Sequence, residues 1–396
     1  MAKERKVVLL VSGTGSTVTP PTKGFGLFSL VSKVMNDSNL IINQLFKIIT
    51  EANVRAFNGA ATDIATDSSP ASVMKSLLGF VHANASDNGP SATLKDIEDH
   101  LIKQYEEAKG KEEELVIYAA GWSRGAQMLG EIPALMAKNG IKAKIVHLDR
   151  IDSVIGGPTD KFEVAYDYYF NEKAEVEANV CENNYISPTG NLVLWDQIGS
   201  FIKKFTPNSL NVQINTPFFS GSVPFTENKT ANINGKEYSR SCSNKVCPAN
   251  HEGIAGRKEE VLNKEKQKVE KKVEELVGAI ILGELVCHII DLHIEVDTNL
   301  AMDALQTAQN AAAELKSLNL PKLSVEQINR KFLDLKKLHE VKSFISMEFL
   351  TAAKEALIGR SLQTSDKVEN IGDSISDDFF SKRMDKLRNR ARSHNM

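Results

Sequence analysis

Short apolar, β-branched runs alternate with segments of helical periodicity along the first half of the chain. The apolar runs predict strands at residues 6–11, 54–57, 115–120, 143–148 and 162–170. Apolar positions at helical spacing predict helices over residues 27–52, 92–108 and 123–139. This alternation predicts an α/β fold, in which helices flank both faces of a mostly parallel sheet.

The pattern changes twice in the second half of the chain. Residues 171–250 are richer in Asn, Pro, Ser and Thr, which predicts a long loop-rich stretch with strand candidates at 191–195 and 210–215. Later, apolar residues spaced among many Lys and Glu predict helices over residues 258–290, 301–318, 324–335 and 341–362. The basic, polar tail over residues 382–396 predicts a frayed terminus.

These changes predict two units, an α/β domain over residues 1–257 and an added helical region with a flexible basic tail over residues 258–396. The helices are expected to pack on the sheet, or to offer a surface for a protein partner or for self-association. Both arrangements produce the same helical spacing, so the sequence leaves the choice open.

The composition is that of a soluble globular protein, since 42% of the 396 residues are hydrophobic and 25% are charged. A net charge of -3 gives no reason to expect nucleic acid as a partner. The N-terminal apolar run is too short for a signal-peptide core, and residues 277–290 fall short of the ~20 residues that span a membrane. We therefore expect a soluble protein without a Sec signal peptide or a transmembrane segment. Four scattered cysteines do not form a disulfide framework.

The strongest motif is Gly121-Trp122-Ser123-Arg124-Gly125, which lies between a predicted strand and a predicted helix. A serine in this context is typical of a nucleophile elbow, a sharp turn that exposes the hydroxyl at the end of the sheet. Small flanking residues avoid clashes with the neighbouring strand and helix. Ser123 is therefore the candidate nucleophile, and a glycine-rich turn with an uninvolved serine is the alternative.

A second glycine-rich segment, at residues 12–16, follows the first predicted strand and allows the backbone to approach a ligand closely. Gly13 and Thr14 are candidates for the oxyanion hole, together with the backbone N–H of Arg124. Trp122, next to the nucleophile, is a candidate substrate-binding residue. The segment lacks the endings that a phosphate-binding loop requires, and a plain turn is the remaining alternative.

An activated serine needs a histidine base and a carboxylate that orients the histidine, and in hydrolases of this type the order along the chain is Ser, acid, His. His251 is the candidate base, because its loop follows the last predicted strand and precedes a helix. The other histidines after Ser123 lie in a predicted strand, in predicted helices or in the tail. Asp149 and Asp152 are the candidate acids, and Asp196 is a third option.

Together these motifs resemble a family of bacterial α/β-hydrolases that includes phospholipase effectors of type VI secretion. That family combines Asp-Gly-Thr, Tyr-x-x-Gly-x-Gly-Thr, Gly-Phe-Ser-Arg-Gly-Ala, Trp-Asp-Thr-Val and a histidine in a glycine-rich loop. The counterparts here, in the same order, start at Ser12, Phe57, Gly121, Ile151 and His251. The chain departs from the family where Ser12 replaces its first aspartate, where Ile151 replaces its tryptophan, and where the histidine loop has fewer glycines.

The resemblance implies an α/β-hydrolase fold, a triad of Ser123, Asp152 and His251, and a lipid or phospholipid ester as substrate. It also implies either a cytoplasmic enzyme or a bacterial effector exported without a Sec signal. The leading hypothesis is therefore a serine esterase or lipase that cleaves an ester or thioester through an acyl-Ser123 intermediate. It needs no metal ion and no cofactor.

Two other hypotheses use the same residues. One is a catalytically inactive hydrolase-fold protein whose helical region binds a partner protein. The other is an enzyme that transfers the acyl group to an acceptor other than water.

Overall fold

The structure, a computed structural model, describes residues 3–13, 40–58, 90–152, 178–188, 229–233, 236–247, 249, 253–255, 264–318, 368–371, 375–376 and 378–394. These residues form one sheet of eight strands. The strands are β1 (Lys3–Val11), β2 (Val54–Phe57), β3 (Glu113–Trp122), β4 (Ala143–Ile151), β5 (Ala178–Pro188), β6 (Lys229–Ile233), β7 (Lys236–Cys247) and β8 (Val368–Asn370).

The strand order is β2-β1-β3-β4-β5-β7-β6, and β8 pairs with β7. Paired strands are parallel, except for the antiparallel pair β6 and β7. The protein therefore has an α/β fold with a mostly parallel sheet, as the sequence predicts. Because β2 lies on one side of β1 and β3 on the other, the strand order reverses between β1 and β3, which makes this a topological switch point.

Helices cover both faces of the sheet. They are α1 (Ile41–Ile48), α2 (Pro90–Gly110), α3 (Arg124–Leu129), α4 (Ile132–Lys138), α5 (Lys264–Asp291), α6 (Thr298–Ser317) and α7 (Phe379–His394), with a 3-10 turn at Gly253–Ala255. Alternate residues of a strand point to opposite faces. Val7 and Leu9 of β1 thus join a core with α2, α3 and α4, whereas Val8 and Leu10 join a core with α1, α5, α6 and α7.

The helical region after residue 257 shares a continuous hydrophobic core with the sheet. Within α5, residues 280–287 are all buried, and α6 packs along α5. The side chain of Asp297 begins α6 by accepting hydrogen bonds from the backbone N–H groups of Asn299 and Leu300. These helices therefore pack on the sheet. The boundary at residue 257 itself stays a prediction, because residues 256–263 lie outside the described ranges.

The first four strands lie where the sequence predicts them, and β3 and β4 extend further, to Trp122 and Ile151.

The helix predicted over residues 123–139 is instead two helices, α3 and α4. Pro133 lies in the first turn of α4, where its missing N–H costs no hydrogen bond. In one continuous helix the same proline would remove a bond and clash with the preceding turn.

The stretch over residues 171–250 was predicted to be loop-rich, and that prediction was wrong for part of it, because it contains β5, β6 and β7. In β5, the polar residues Glu182 and Asn184 occupy positions on the covered face of the sheet, where a half-buried strand normally has apolar residues. The alternation of apolar and polar residues that normally identifies a half-buried strand is therefore absent.

The frayed tail predicted over residues 382–396 was also wrong, because α7 is a helix through His394. Phe380, Met384 and Leu387 are buried at spacings of four and three residues and pack into the core of the helical region. Arg383 and Lys386, on another side of α7, bind Asp291 at the end of α5. The many basic residues obscured this short apolar stripe in the sequence.

Several predictions lie outside the described residues: the strands at 162–170, 191–195 and 210–215, the helices at 324–335 and 341–362, and most of the helix at 27–52. Of that last helix, the structure describes α1. In the part of the chain that the structure describes, no helix has both the length and the apolar character needed to cross a membrane.

Candidate functional site

Ser123 lies at a sharp turn between β3 and α3. Its φ is +58°, in the left-handed region that residues with a side chain rarely adopt. Its backbone N–H donates a 2.9 Å hydrogen bond to the carbonyl oxygen of Ile151, the last residue of β4. A strained serine between a central parallel strand and a helix is the geometry that defines a nucleophile elbow, and strain of this kind concentrates at functional sites.

Gly121 and Gly125, the two glycines of the motif, have no room for a side chain. A Cβ atom on Gly125 would lie 2.5 Å from the carbonyl oxygen of Ser12 and even closer to that of Val11. A Cβ atom on Gly121 would lie 2.9 Å from the backbone nitrogen of Ala126. Backbone atoms cannot move aside as a flexible side chain can. Only glycine therefore allows α3 to approach β1 and β3 this closely.

The end of β1 lies against the serine. A Cβ atom on Gly13 would lie 3.1 Å from the Cβ of Ser123 and closer still to the ring of Trp122. Ser123 and Gly13 thus occupy the carboxyl ends of β3 and β1, on the two sides of the switch point. Ligands of open parallel sheets bind in the crevice at this position.

Asp152 lies at the same edge of the sheet, directly after β4. It is fully buried, its φ is +40°, and its backbone N–H donates a 2.7 Å hydrogen bond to the carbonyl oxygen of Ile186 in β5. Burial, and then the negative charge of Asp152, raise the pKa of the Cys247 thiol well above its usual value. The carboxylate is thus close to the end of β7, where the segment containing residue 251 begins.

The segment around residue 251 is anchored on both sides. Ala249 and the 3-10 turn Gly253–Ala255 are buried, and they belong to the same hydrophobic core as Trp122 and Ile151. His251 and Thr14 themselves lie outside the described residues, so their roles stay predictions. Arg124 begins α3, and only its backbone is described.

Trp122 is 3% exposed and belongs to the core beneath α5, where its ring packs against Gly13. The structure therefore places this ring as a support for the turn at Ser123. Its predicted contact with substrate stays a prediction.

Asp149 lies inside β4 and points toward α5. Its two carboxylate oxygens accept hydrogen bonds from Tyr118 Oη (2.8 Å) and Asn184 Nδ2 (3.0 Å). They also contact His147 Nε2 (3.2 Å) and His288 Nδ1 (3.0 Å). The register pairs Asp149 with Ala120, three residues before Ser123, which corresponds to roughly 10 Å along the strand. Asp149 therefore lies beneath α5, whereas Asp152 lies at the edge of the sheet with Ser123.

We call the groups around Asp149 the buried polar cluster: Tyr118, His147, Asp149, Glu182, Asn184, Lys245, Glu284 and His288. Burial alone would lower the pKa of His147, but Asp149 and Glu182 outweigh it and raise that pKa to about 9. Burial opposes ionisation of Asp149 too, yet His288 and His147 hold its pKa well below the usual value. Burial and the charge of Asp149 raise the pKa of the Tyr118 hydroxyl. The cluster is thus strongly coupled electrostatically.

Sequence reasoning set His147 and His288 aside as a buried strand residue and a helix residue. His147 is indeed buried in β4, but both histidines contact Asp149. One signal was available, since Glu284 and His288 are polar residues within the apolar segment over residues 277–290. Buried polar groups require partners, which such a helix must find on the sheet.

No protein-family model and no curated protein matches this chain. Solved structures do match it. One is the Tle1 effector bound to the VgrG spike from the type 6 secretion system, with 10% identity, a TM-score of 0.30, and coverage of 84% of this chain and 84% of that chain. Another is an uncharacterised protein from Pseudomonas aeruginosa, with 9% identity, a TM-score of 0.29, and coverage of 91% of this chain and 67% of that chain. Likeness at this level does not determine function.

Proposed function

We propose that this protein is a serine hydrolase of the α/β-hydrolase type, which cleaves an ester or thioester through an acyl-Ser123 intermediate. The observation that supports this most directly is the strained Ser123 at the switch point of a parallel sheet, held by glycines that no larger residue can replace.

In the proposed reaction, Ser123 Oγ attacks the carbonyl carbon of the substrate while His251 accepts the hydroxyl proton. Backbone N–H groups of Arg124 and of the segment at Gly13 and Thr14 bind the oxyanion that forms. The histidine then gives its proton to the departing alcohol or thiol. A water molecule, deprotonated by the same histidine, attacks the acyl-enzyme and releases the acid.

Asp152 is the acid that we propose to orient His251. It lies at the same edge of the sheet as Ser123, and its charge acts on Cys247, four residues before His251. Asp149 fits this role less well, because Tyr118, Asn184 and His288 already occupy its oxygens.

A lipid ester is the proposed substrate class, and this preference rests on the sequence resemblance alone. Polar esters and thioesters share the same chemistry at the carbonyl group. Assays on a short-chain p-nitrophenyl ester and on phospholipid vesicles distinguish a general esterase from an enzyme that requires a lipid surface.

The test replaces the nucleophile. Ser123→Ala should lower hydrolysis of the preferred substrate by more than about 1000-fold, because the acyl-enzyme cannot form. Thermal unfolding should show the same Tm as the native protein. Ser317→Ala is the matched control, since Ser317 is an exposed residue at the end of α6, and it should leave both quantities unchanged.

Labelling with a fluorophosphonate probe separates an active serine hydrolase from an inactive hydrolase-fold protein that binds a partner. A hydrolase should label at Ser123, and Ser123→Ala should remove the label. A native protein that stays folded but neither labels nor hydrolyses any of these esters would support the inactive, partner-binding alternative. Turnover that persists in Ser123→Ala would exclude Ser123 as the nucleophile.

A further inference from the structure

Three donor atoms of the buried polar cluster converge on one point between β4 and α5. His147 Nε2, a carboxylate oxygen of Asp149 and His288 Nδ1 all lie within 4.8 Å of one another. The Asp149 carboxylate is 3.2 Å from the first nitrogen and 3.0 Å from the second. Ligands at about 2.0–2.1 Å around a tetrahedral ion are separated by roughly 3.3 Å, which is close to the two distances from Asp149.

The three residues come from two rigid elements. His147 and Asp149 are two positions apart in β4, so their side chains share the face of the sheet that α5 covers. His288 lies in the last turn of α5, directly over them. Ligands built on a strand and a helix hold a fixed geometry better than ligands on loops.

Each histidine also has a carboxylate at its other ring nitrogen. His147 Nδ1 is 2.8 Å from Glu182 Oε2, and His288 Nε2 is 3.9 Å from Glu284 Oε1. Tyr118 holds the second oxygen of Asp149. The Glu182 hydrogen bond fixes the His147 ring as carboxylates fix metal-binding histidines, whereas the distance from Glu284 to His288 is too long for a hydrogen bond.

The cluster has more acceptors than donors. Two buried oxygens of the cluster, Asn184 Oδ1 and Glu284 Oε2, have no hydrogen-bond partner in the described part of the chain. Both residues border the three donors, because Asn184 Nδ2 is 3.0 Å from Asp149 Oδ1 and Glu284 Oε1 is 3.9 Å from His288 Nε2. A buried acceptor without a donor is costly, and a cation removes that cost.

The charges point the same way. Three carboxylates belong to the cluster, at positions 149, 182 and 284, and the first and last are fully buried. Lys245, bound to Glu284, is the ammonium group that faces them among the described residues. A bound ion displaces any proton from the imidazoles, and the three carboxylates and Lys245 then leave two negative charges, which one divalent cation balances.

We infer that His147, Asp149 and His288 form a structural site for one divalent transition-metal ion, with Zn²⁺ the best match to two imidazoles and a carboxylate. Imidazole suits zinc, copper, iron and nickel, whereas calcium and magnesium prefer oxygen ligands alone. The site is buried beneath α5 and lies roughly 10 Å from Ser123 along the strand, so its role is to join α5 to β4. His288 is 19% exposed, which gives an ion a route of entry.

The test uses the full chain, stripped with a chelator, dialysed and titrated with ZnCl₂ by calorimetry. We expect one Zn²⁺ per chain and a Tm that rises with Zn²⁺ concentration. His288→Gln should weaken Zn²⁺ binding at least 100-fold. Glu182→Gln changes a partly exposed residue that does not touch the ion, and it should weaken binding about 10–100-fold. His293→Gln, five residues further along and exposed, is the matched control and should bind as the native chain does.

Titration with CoCl₂ gives a readout that needs no variant. Three protein ligands and one water molecule make a four-coordinate site, so the native chain should give visible absorption bands, and His288→Gln should remove them. If the stripped native chain binds no Zn²⁺ at a concentration of about 100 µM, the inference is overturned. The same holds if His288→Gln and His293→Gln bind Zn²⁺ equally, because protons on the histidines would then hold the cluster together.

Discussion

The edge of the sheet at Ser123 and the buried polar cluster at Asp149 lie on the same two strands, only three residues apart in register. The edge contains two residues other than glycine with positive φ, Ser123 and Asp152. The cluster residues within the strands have ordinary backbone geometry and many hydrogen bonds. The edge is thus strained and close to the end of the sheet, whereas the cluster is relaxed and covered by a helix.

This difference shows how one sheet can hold two kinds of polar site. Strain at the edge is tolerated because the surrounding strands and α3 fix the turn, and it serves chemistry. Hydrogen bonds in the cluster instead compensate the burial of charged groups, and they serve stability. Substitutions of Ser123 or Asp152 should therefore reduce activity, and changes in the cluster should reduce the free energy of unfolding.

The largest expected effect comes from Gly125→Ala, which tests how tightly the edge is packed. The new Cβ would lie 2.5 Å from the Ser12 carbonyl oxygen, so α3 and the end of β1 must separate. We expect a loss of about 3 kcal/mol in the free energy of unfolding, measured with urea. Hydrolysis should fall as well, since the segment at Gly13 moves away from Ser123.

Gly110→Ala is the matched control for this change. A Cβ atom at Gly110 meets nothing within 4 Å, and the residue ends α2, far from the edge. It should alter neither stability by more than about 0.5 kcal/mol nor hydrolysis. Equal effects of the two substitutions would show that the close packing at Gly125 does not matter.

An intermediate effect is expected for Tyr118→Phe, which removes one hydrogen bond from Asp149 and leaves the ring in place. A hydrogen bond to a charged group contributes about 1.5–3 kcal/mol, so the free energy of unfolding should fall by that amount. If the rate of hydrolysis per folded molecule falls as far as it does in Ser123→Ala, the cluster is not separate in function from the edge of the sheet. Urea unfolding and hydrolysis of the same preparation measure both.

The smallest effect is expected on the opposite face of the sheet, at Glu98. Hydrogen bonds from Lys138 and Asn139 lower the pKa of this carboxyl to about 2. Its folded pKa is below the unfolded value of 4.5, so its contribution is present above pH 4.5 and is lost as the pH falls toward 2. Glu98→Gln should cost less than about 1 kcal/mol at pH 7, because Lys138 is exposed. Urea unfolding should show that this difference shrinks between pH 5 and pH 3.

Sequence patterns predicted the first four strands and the strand-to-helix turn at Ser123, because each depends on neighbours within a few residues. Apolar runs identify buried strands, and a serine between two glycines identifies a tight turn. The edge of the sheet was therefore accessible to local reasoning.

The buried polar cluster could not be predicted from local sequence patterns. Asp149 and His288 are 139 residues apart in sequence, and nothing local shows that α5 covers β4. The polar strand β5 hid its own periodicity, since Glu182 and Asn184 face the cluster. Long-range convergence of polar residues leaves no periodic signal, so it emerges only when the packing is known.

The distance between Asp149 and His288 along the chain also bears on biosynthesis. At about 5–20 residues per second, a ribosome needs on the order of ten seconds to extend the chain from one to the other. During that interval β1, β3 and β4 have already left the ribosome, but the helix that covers them does not exist. The nascent sheet therefore presents an uncovered apolar face, and a chaperone that binds such surfaces should associate with the chain until α5 emerges.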